Sequence, residues 1–232
     1  MSELKLQKLN LLKSKCENCF ECELSKTRSK VVFSDGNPDG AKVVLIGEAP
    51  GQNEDFSGIP FVGRAGKFLD ECLAKAGLSR AKDFYIINTV KCRPPKNRVP
   101  SAVEKSACEH FMLEQIEIID PKIILFCGAT ALKSFILNIP QPVILNLFQN
   151  LISDQSCDPE TSSGRRKIIS KFEKIPISRI RGEIFEIEVR GKKYKAMPIF
   201  HPSYLLRSHS TEETAPRGLM LKDLKKVKGL IR

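Results

Sequence analysis

Three groups of side chains in this sequence are spaced for chemistry. The first lies in Val43–Gly63, VVLIGEAPGQNEDFSGIPFVG. An apolar run stops at Gly47, the turn EAPG follows with Glu48 in it, then come Glu54 and Asp55, and Phe61 sits in a Gly/Pro frame. Free backbone N–H groups, carboxylates and one flat ring suit a planar, polar ligand. The second group is Asn88, near the end of another apolar run, and His201, which opens HPSYLLR. The third is C-x2-C-x2-C at Cys16, Cys19 and Cys22, with Cys92 and Cys108 far downstream. A C-x2-C pair plus two distant cysteines can build a four-cysteine site for zinc or an iron–sulfur cluster, and spacing alone does not choose between them.

The elements that must position these groups follow from the apolar pattern. Val43–Gly47, Phe84–Val90, Ile123–Gly128 and Ala196–Phe200 read as buried strands, with helical patterns at Gly63–Ala76, Pro100–Ile119 and Ala129–Leu137 between them. Alternating strands and helices predict an α/β fold. The expected architecture is three-layer α/β/α, with a central, mainly parallel four-stranded sheet. To it are added a small β-hairpin over Glu183–Met197 and an N-terminal cluster-binding segment. Open sheets of this kind bind ligands at the carboxyl ends of their strands. Glu48, Asn88 and His201 all fall at that edge, so three separated segments converge on one crevice. The N-terminus reads as an amphipathic helix with Leu4, Leu9 and Leu12 on one face, and Thr214–Ile231 as a basic helix.

The 232 residues are read as one domain. Residues 141–174 pass from apolar PVILNLFQNLI to polar DPETSSGRRK and read as an insertion. Loop-closure entropy grows slowly with length, so a neutral insert is tolerated; the competing reading is an extra DNA- or partner-binding arm. Apolar content of 41% and charged content of 28% are those of a globular protein, whereas a net charge of +11 attracts polyanions. No apolar run reaches the roughly 18 residues of a membrane span. A cytoplasmic protein is therefore expected. In a reducing compartment its eight cysteines point to metal chemistry for some of them. Cys72, Cys127 and Cys157 read as bystander thiols.

GEAPGQNED, PFVGRAG, NTVKCRPPKNRVP and HPSYLLR, with C-x2-C-x-L-x3-R at Cys19, Cys22, Leu24 and Arg28, resemble the family-four uracil-DNA glycosylases, which carry an iron–sulfur cluster. The likeness runs from about Cys19 to Cys108 and from Ile177 onward. It implies a [4Fe–4S] cluster on Cys19, Cys22, Cys92 and Cys108, with structural zinc as the alternative. Cys16 is an extra thiol that competes with Cys19 for its place.

The same resemblance implies a monomeric repair enzyme that flips uracil out of single- or double-stranded DNA and hydrolyses its N-glycosidic bond. Phe61 would stack on the base. The Asn88 amide would accept from uracil N3–H and donate to O4, a pattern that cytosine inverts. His201 would donate to uracil O2 as negative charge develops there. Glu48 and Glu54 are the carboxylates available to orient water and face the cationic sugar, and they are not ranked. Some other uracil glycosylases carry an Asp where this chain has Ala49. Ala49 and Gly51 complete the substrate-binding set. Ser203, Leu205 and Arg207 are expected to meet DNA, Leu205 as an apolar wedge. Lys91, Arg93, Lys96 and Arg98 are expected near phosphates. The alternative activity is a non-catalytic DNA-damage-binding protein on the same fold. A related group tethers DNA through a histidine, which PPKNRVPSAVEK lacks.

Overall fold

The computed structural model describes residues 3–138, 170–171, 174–208, 210 and 212–232. Its centre is a six-stranded sheet in the order β1-β3-β2-β4-β6-β5. Strands β2 (Val43–Gly47), β3 (Phe84–Asn88), β4 (Ile123–Cys127) and β6 (Lys192–Ile199) run parallel. They correspond to the four strands read from the sequence. Every residue of β2, β3 and β4 is buried, which is why these strands appear as unbroken apolar runs rather than alternating ones.

Two antiparallel edge strands extend the expected four to six: β1 (Asp35–Gly36) against β3, and β5 (Phe185–Val189) against β6. The two residues of β1 are too few to leave a periodic signal. The expected hairpin is real, but it is part of the sheet, because its second arm is β6. Its turn residues, Arg190 and Gly191, both have positive φ (49° and 83°), as a two-residue type I′ turn requires.

Alternation along the strands sorts the core into two layers. Val44, Ile46, Ile87, Ile124 and Phe126 pack with α5 (Ala102–Ile119), α6 (Ala129–Asn138) and Leu9 of α1 (Glu3–Glu17). Val43, Leu45, Ile86, Leu125 and Ile199 pack with α3 (Arg64–Lys75) and α9 (Pro216–Ile231). Burying each such side chain contributes about 1.5–3 kcal/mol, and this fastens the strand ends beneath the site. Short helices α2 (Gln52–Ser57), α4 (Arg80–Asp83), α7 (Ile177–Ile180) and α8 (Pro202–Leu205) lie in the connections.

Two helical faces differ from expectation. Leu4 is exposed, because five residues from Leu9 is about 140° around the axis; the buried face of α1 continues instead through Leu9, Leu12 and Cys16. In α5, Val103 is exposed and the inward stripe includes the polar Glu104 and Gln115, each held by hydrogen bonds. The expected insertion at 141–174, apart from residues 170, 171 and 174, and with it Cys157, lies outside the described residues.

Candidate active site

The carboxyl ends of the parallel strands bring Glu48, Asn88 and His201 to one edge of the sheet. Asn88 and Phe61 meet at Gly47, and His201 packs against Gly128. A Cβ added at Gly47 would collide with Oδ1 of Asn88 and stand 2.7 Å from Cζ of Phe61. The amide and the ring therefore approach each other across a backbone that only glycine leaves open. Phe61 and His201 have ring centroids 6.0 Å apart with planes inclined at 35°. Asn88 is buried, and Phe61 is 8% exposed with a left-handed φ of 54°. Amide, aromatic ring and imidazole are thus neighbours at one edge of the sheet.

The two carboxylates part company here. Glu54 sits in the first turn of α2 and spends both oxygens on the backbone. Its Oε2 accepts from Gly51 N–H at 3.1 Å, and its Oε1 accepts from Val62 and Gly63 N–H at 3.0 and 2.8 Å. It fastens the loop that carries Phe61, and it takes up the N–H of Gly51, a residue expected to bind substrate. Asp55 is likewise committed, to Ser29 N–H. Glu48 is different. Its Oε1 is buried with no hydrogen-bond partner among the described residues. Burial raises its carboxyl pKa above the ordinary value, with the Lys105 charge opposing the rise. Ala49, next to it, is half-buried and packs toward the cysteines.

His201 caps α8. Its Nδ1 accepts from Ser203 N–H at 3.2 Å and lies 2.7 Å from Ser203 Oγ. A backbone N–H can only donate, so Nδ1 is the bare nitrogen and the ring proton belongs on Nε2. Burial pushes the imidazole pKa down, which keeps the ring neutral near pH 7. Ser203, expected only at the DNA surface, is therefore also the group that sets the tautomer.

Two expectations fail on burial. Leu205 has no exposed surface and belongs to the core, so it is not available as a wedge. The helical turn opened by Pro202 sends residues 202 and 205 inward and residues 203, 204 and 207 outward, leaving Tyr204 49% exposed. Lys91 is not a phosphate contact either. Its side chain is buried, and Nζ donates to the Asn88 carbonyl at 3.0 Å and to Gln115 Oε1 at 2.5 Å. Burial lowers its ammonium pKa to about 8. Lys96 and Arg98 do face solvent, although Arg98 is paired with Glu104.

Beyond Lys91 a second cavity is lined by Cys16, Cys19, Cys22, Cys92 and Cys108, with Arg28 beside them. Helix α1 contributes Cys16, the loop after β3 contributes Cys92 and α5 contributes Cys108. Arg28 Nη1 donates to Cys92 Sγ at 3.2 Å, and Lys91 N–H donates to Cys108 Sγ at 3.3 Å. Burial raises the thiol pKa values of Cys16, Cys92 and Cys108, the last to about 12. Among the described residues, no three His, Cys, Asp or Glu side chains are grouped to hold a single metal ion. Cys72 and Cys127 lie in the hydrophobic core, away from this cavity.

The sequence matches the uracil DNA glycosylase superfamily over residues 33–225. It is similar to the type-4 uracil-DNA glycosylase of Thermotoga maritima, with 38% identity over 97% of this chain and 95% of that protein. The type-4 enzyme of Archaeoglobus fulgidus is 38% identical over 82% of this chain and 78% of its own length. That of Saccharolobus solfataricus is 34% identical over 96% and 86%. The matched span contains the whole strand edge on which Gly47, Glu48, Asn88 and His201 meet, and the chain belongs to the uracil-DNA glycosylase superfamily, among its type-4 members.

Proposed function

We propose that this glycosylase hydrolyses the N-glycosidic bond of a uracil flipped into the pocket at Gly47, leaving an abasic site for base-excision repair. The observation that carries the reading is the meeting of the Asn88 amide and the Phe61 ring across Gly47, with the His201 imidazole 6.0 Å from that ring. Flipping costs a few kcal/mol, and stacking on Phe61 returns about 1–3 kcal/mol of it. The buried Asn88 amide pairs with the Watson–Crick edge of uracil, whereas cytosine would leave two buried polar groups unpaired.

As the bond breaks, negative charge grows on uracil O2 and positive charge on the sugar. The neutral His201, its proton on Nε2, donates to O2 without having to give that proton up. Glu48 rather than Glu54 faces the cationic sugar and orients the attacking water, because its Oε1 is free while both Glu54 oxygens are engaged. Ala49 brings no carboxylate to that task. Ser203, Tyr204 and Arg207 form the exposed rim that meets DNA.

The cysteine cavity fits a [4Fe–4S] cluster. Five sulfurs line it, with a guanidinium and a backbone N–H already aimed at two of them. Zinc would draw four sulfurs to within about 3.8 Å of each other, from Zn–S bonds of about 2.3 Å. A [4Fe–4S] cluster takes one thiolate on each of its four irons, and the cavity offers five. Cys19, Cys22, Cys92 and Cys108 would hold it. The cluster would act as a structural pin that ties α1 and α5 to the end of β3.

The test is an oligonucleotide carrying uracil opposite G or A, or single-stranded, incubated with the protein and then treated with alkali. Strand breakage at uracil and none at cytosine is expected. Intact strands with all three substrates would overturn the reading. Asn88→Ala should lower uracil excision by roughly 10- to 100-fold, the value of two buried hydrogen bonds.

A further inference from the structure

Phe61 holds a backbone conformation that its side chain disfavours, and one residue far along the chain grips it there. Its φ of 54° is left-handed, where a bulky residue with a Cβ is an outlier. Burial of the ring in the core cluster offsets part of that cost without fixing the loop. The carbonyl, however, is held on two sides. On one, Gly66 in the first turn of α3 lets the helix come so close that any Cβ there would overlap the Phe61 carbonyl group. On the other stands Arg80 of α4. Its Nη2 donates to Phe61 O at 2.9 Å and its Nη1 to Pro60 O at 3.2 Å. The guanidinium is itself fixed by two carboxylates, Nη1 to Asp35 Oδ2 at 2.8 Å and Nε to Asp70 Oδ1 at 2.7 Å. The Arg80 side chain is only 17% exposed. A planar fork with donors on all its nitrogens is the only side chain able to meet four acceptors at once.

We propose that Arg80 is a positioning residue for uracil recognition. By clamping the Pro60 and Phe61 carbonyls onto Asp35 of β1 and Asp70 of α3, it holds the Phe61 ring across the base pocket in a geometry the free loop would not keep. This rests on Phe61 being the surface on which the base stacks. The clamp joins β1, α3 and α4 to the loop, and its only contacts with the proposed base site are through Pro60 and Phe61. Asn88 is held separately, by β3 and by Lys91.

The clamp makes Arg80 and Phe61 energetically coupled, and it leaves Arg80 and Asn88 independent. The readouts are inhibition by free uracil, which reports the pocket without DNA contacts, and kcat and KM on a uracil-containing oligonucleotide. Phe61→Ala should weaken free-uracil inhibition by about 5- to 150-fold, the range for one lost stack. Arg80→Met should reproduce a large part of that loss. Phe61→Ala added to Arg80→Met should then cost less than about 2-fold more, whereas Asn88→Ala added to Arg80→Met should multiply in full. Arg80→Lys, which keeps the charge between Asp35 and Asp70 but cannot span both carbonyls, should fall between wild type and Arg80→Met. It also serves as the test if the methionine variant does not fold.

If Phe61→Ala leaves uracil inhibition unchanged, the stacking role itself is wrong. If Phe61→Ala acts as expected while Arg80→Met and Arg80→Lys behave as wild type, or their losses multiply with that of Phe61→Ala, the clamp is overturned and the stacking role stands. Equal losses for Arg80→Met alone and in the Asn88→Ala background, with melting temperature preserved, complete the expected pattern.

Discussion

Replacing Glu48 by Gln should cost the enzyme its activity and make the protein more stable. Glu48 Oε1 is buried and unpartnered among the described residues, and burial holds its carboxyl pKa above the ordinary value near 4.5. A folded-state pKa raised in this way means that the ionised form is disfavoured by folding. The penalty is absent below the unfolded value and complete once pH exceeds the folded one. An unpaired buried polar group costs about 1–3 kcal/mol and more when charged; glutamine keeps the polar group and sheds only the charge. Glu48 is only half-buried and Lys105 offsets part of the charge, so solvent screening brings the figure to the lower end, about 1 kcal/mol. For a chain of this size that is a rise in Tm of about 2–4 °C at pH 7.5. The gain should vanish near pH 4, where Glu48 is protonated in both states. The same substitution removes the charge facing the sugar cation and should lower kcat by about 10²- to 10⁴-fold. The wild-type kcat/KM should fall on acidification through a group titrating above 4.5, and this limb should be missing from the residual activity of Glu48→Gln. Thermal melts at the two pH values and single-turnover excision read both sides. A Gln variant that melts lower at pH 7.5, or that keeps its rate within a few-fold, would refute the reasoning.

The other predictions concern the pocket and the cysteines. His201→Ala should reduce kcat by about 10²- to 10³-fold, as loss of one oxyanion donor does; Ser203→Ala removes the hydroxyl but keeps the backbone N–H on Nδ1, so kcat should stay within a few-fold of wild type, and a loss as large as that of His201→Ala would show that the N–H alone does not set the tautomer. Gly47→Ala drives a methyl between Asn88 and Phe61, so excision should be lost at a stability cost of about 1–3 kcal/mol; a variant still inhibited by free uracil would show the pocket to lie elsewhere. Cys92→Ser and Cys108→Ser should lose iron, measured per mole of protein, together with the brown colour, whereas Cys16→Ser should keep both. Zinc in place of iron in the wild-type protein would reject the cluster.

The parallel core of the fold was readable because its strands are buried on both faces and its helices carry apolar stripes. The shared position of Glu48, Asn88 and His201 was readable for a related reason: each follows an apolar run, and a strand end is a fixed place. What stayed hidden was the direction of individual side chains. Leu205 and Lys91 stand among polar or basic neighbours that suggest a surface, yet a single helical turn buries the first, and hydrogen bonds to the Asn88 carbonyl and Gln115 bury the second. Glu48 and Glu54 could not be ranked because their difference lies in what the backbone offers them: three N–H groups for Glu54 and, among the described residues, none for Oε1 of Glu48. Arg80 carried no signal at all, since its partners Asp35, Pro60 and Asp70 are scattered along the chain. PFVGRAG did contain a clue, because a glycine in the first turn of a helix marks a close backbone approach, here to Phe61.

The few residues from Asn88 to Cys92 connect the amide proposed to read the base to the cysteine cavity, and every one of them is tied down. Thr89 N–H bonds to the Gly47 carbonyl and its hydroxyl to that of Glu48, and Val90 N–H bonds to the same Glu48 carbonyl. Lys91 reaches back to Asn88 with its side chain and forward to Cys108 with its backbone. Most surface loops absorb an added residue cheaply, because closing a slightly longer loop costs little entropy. This connection cannot. One residue more or fewer would break those bonds in turn and pull either the amide from the pocket or the sulfur from the cavity. Its length is therefore a fixed measure, and insertions or deletions that lineages accept elsewhere in the chain would be purged from this stretch.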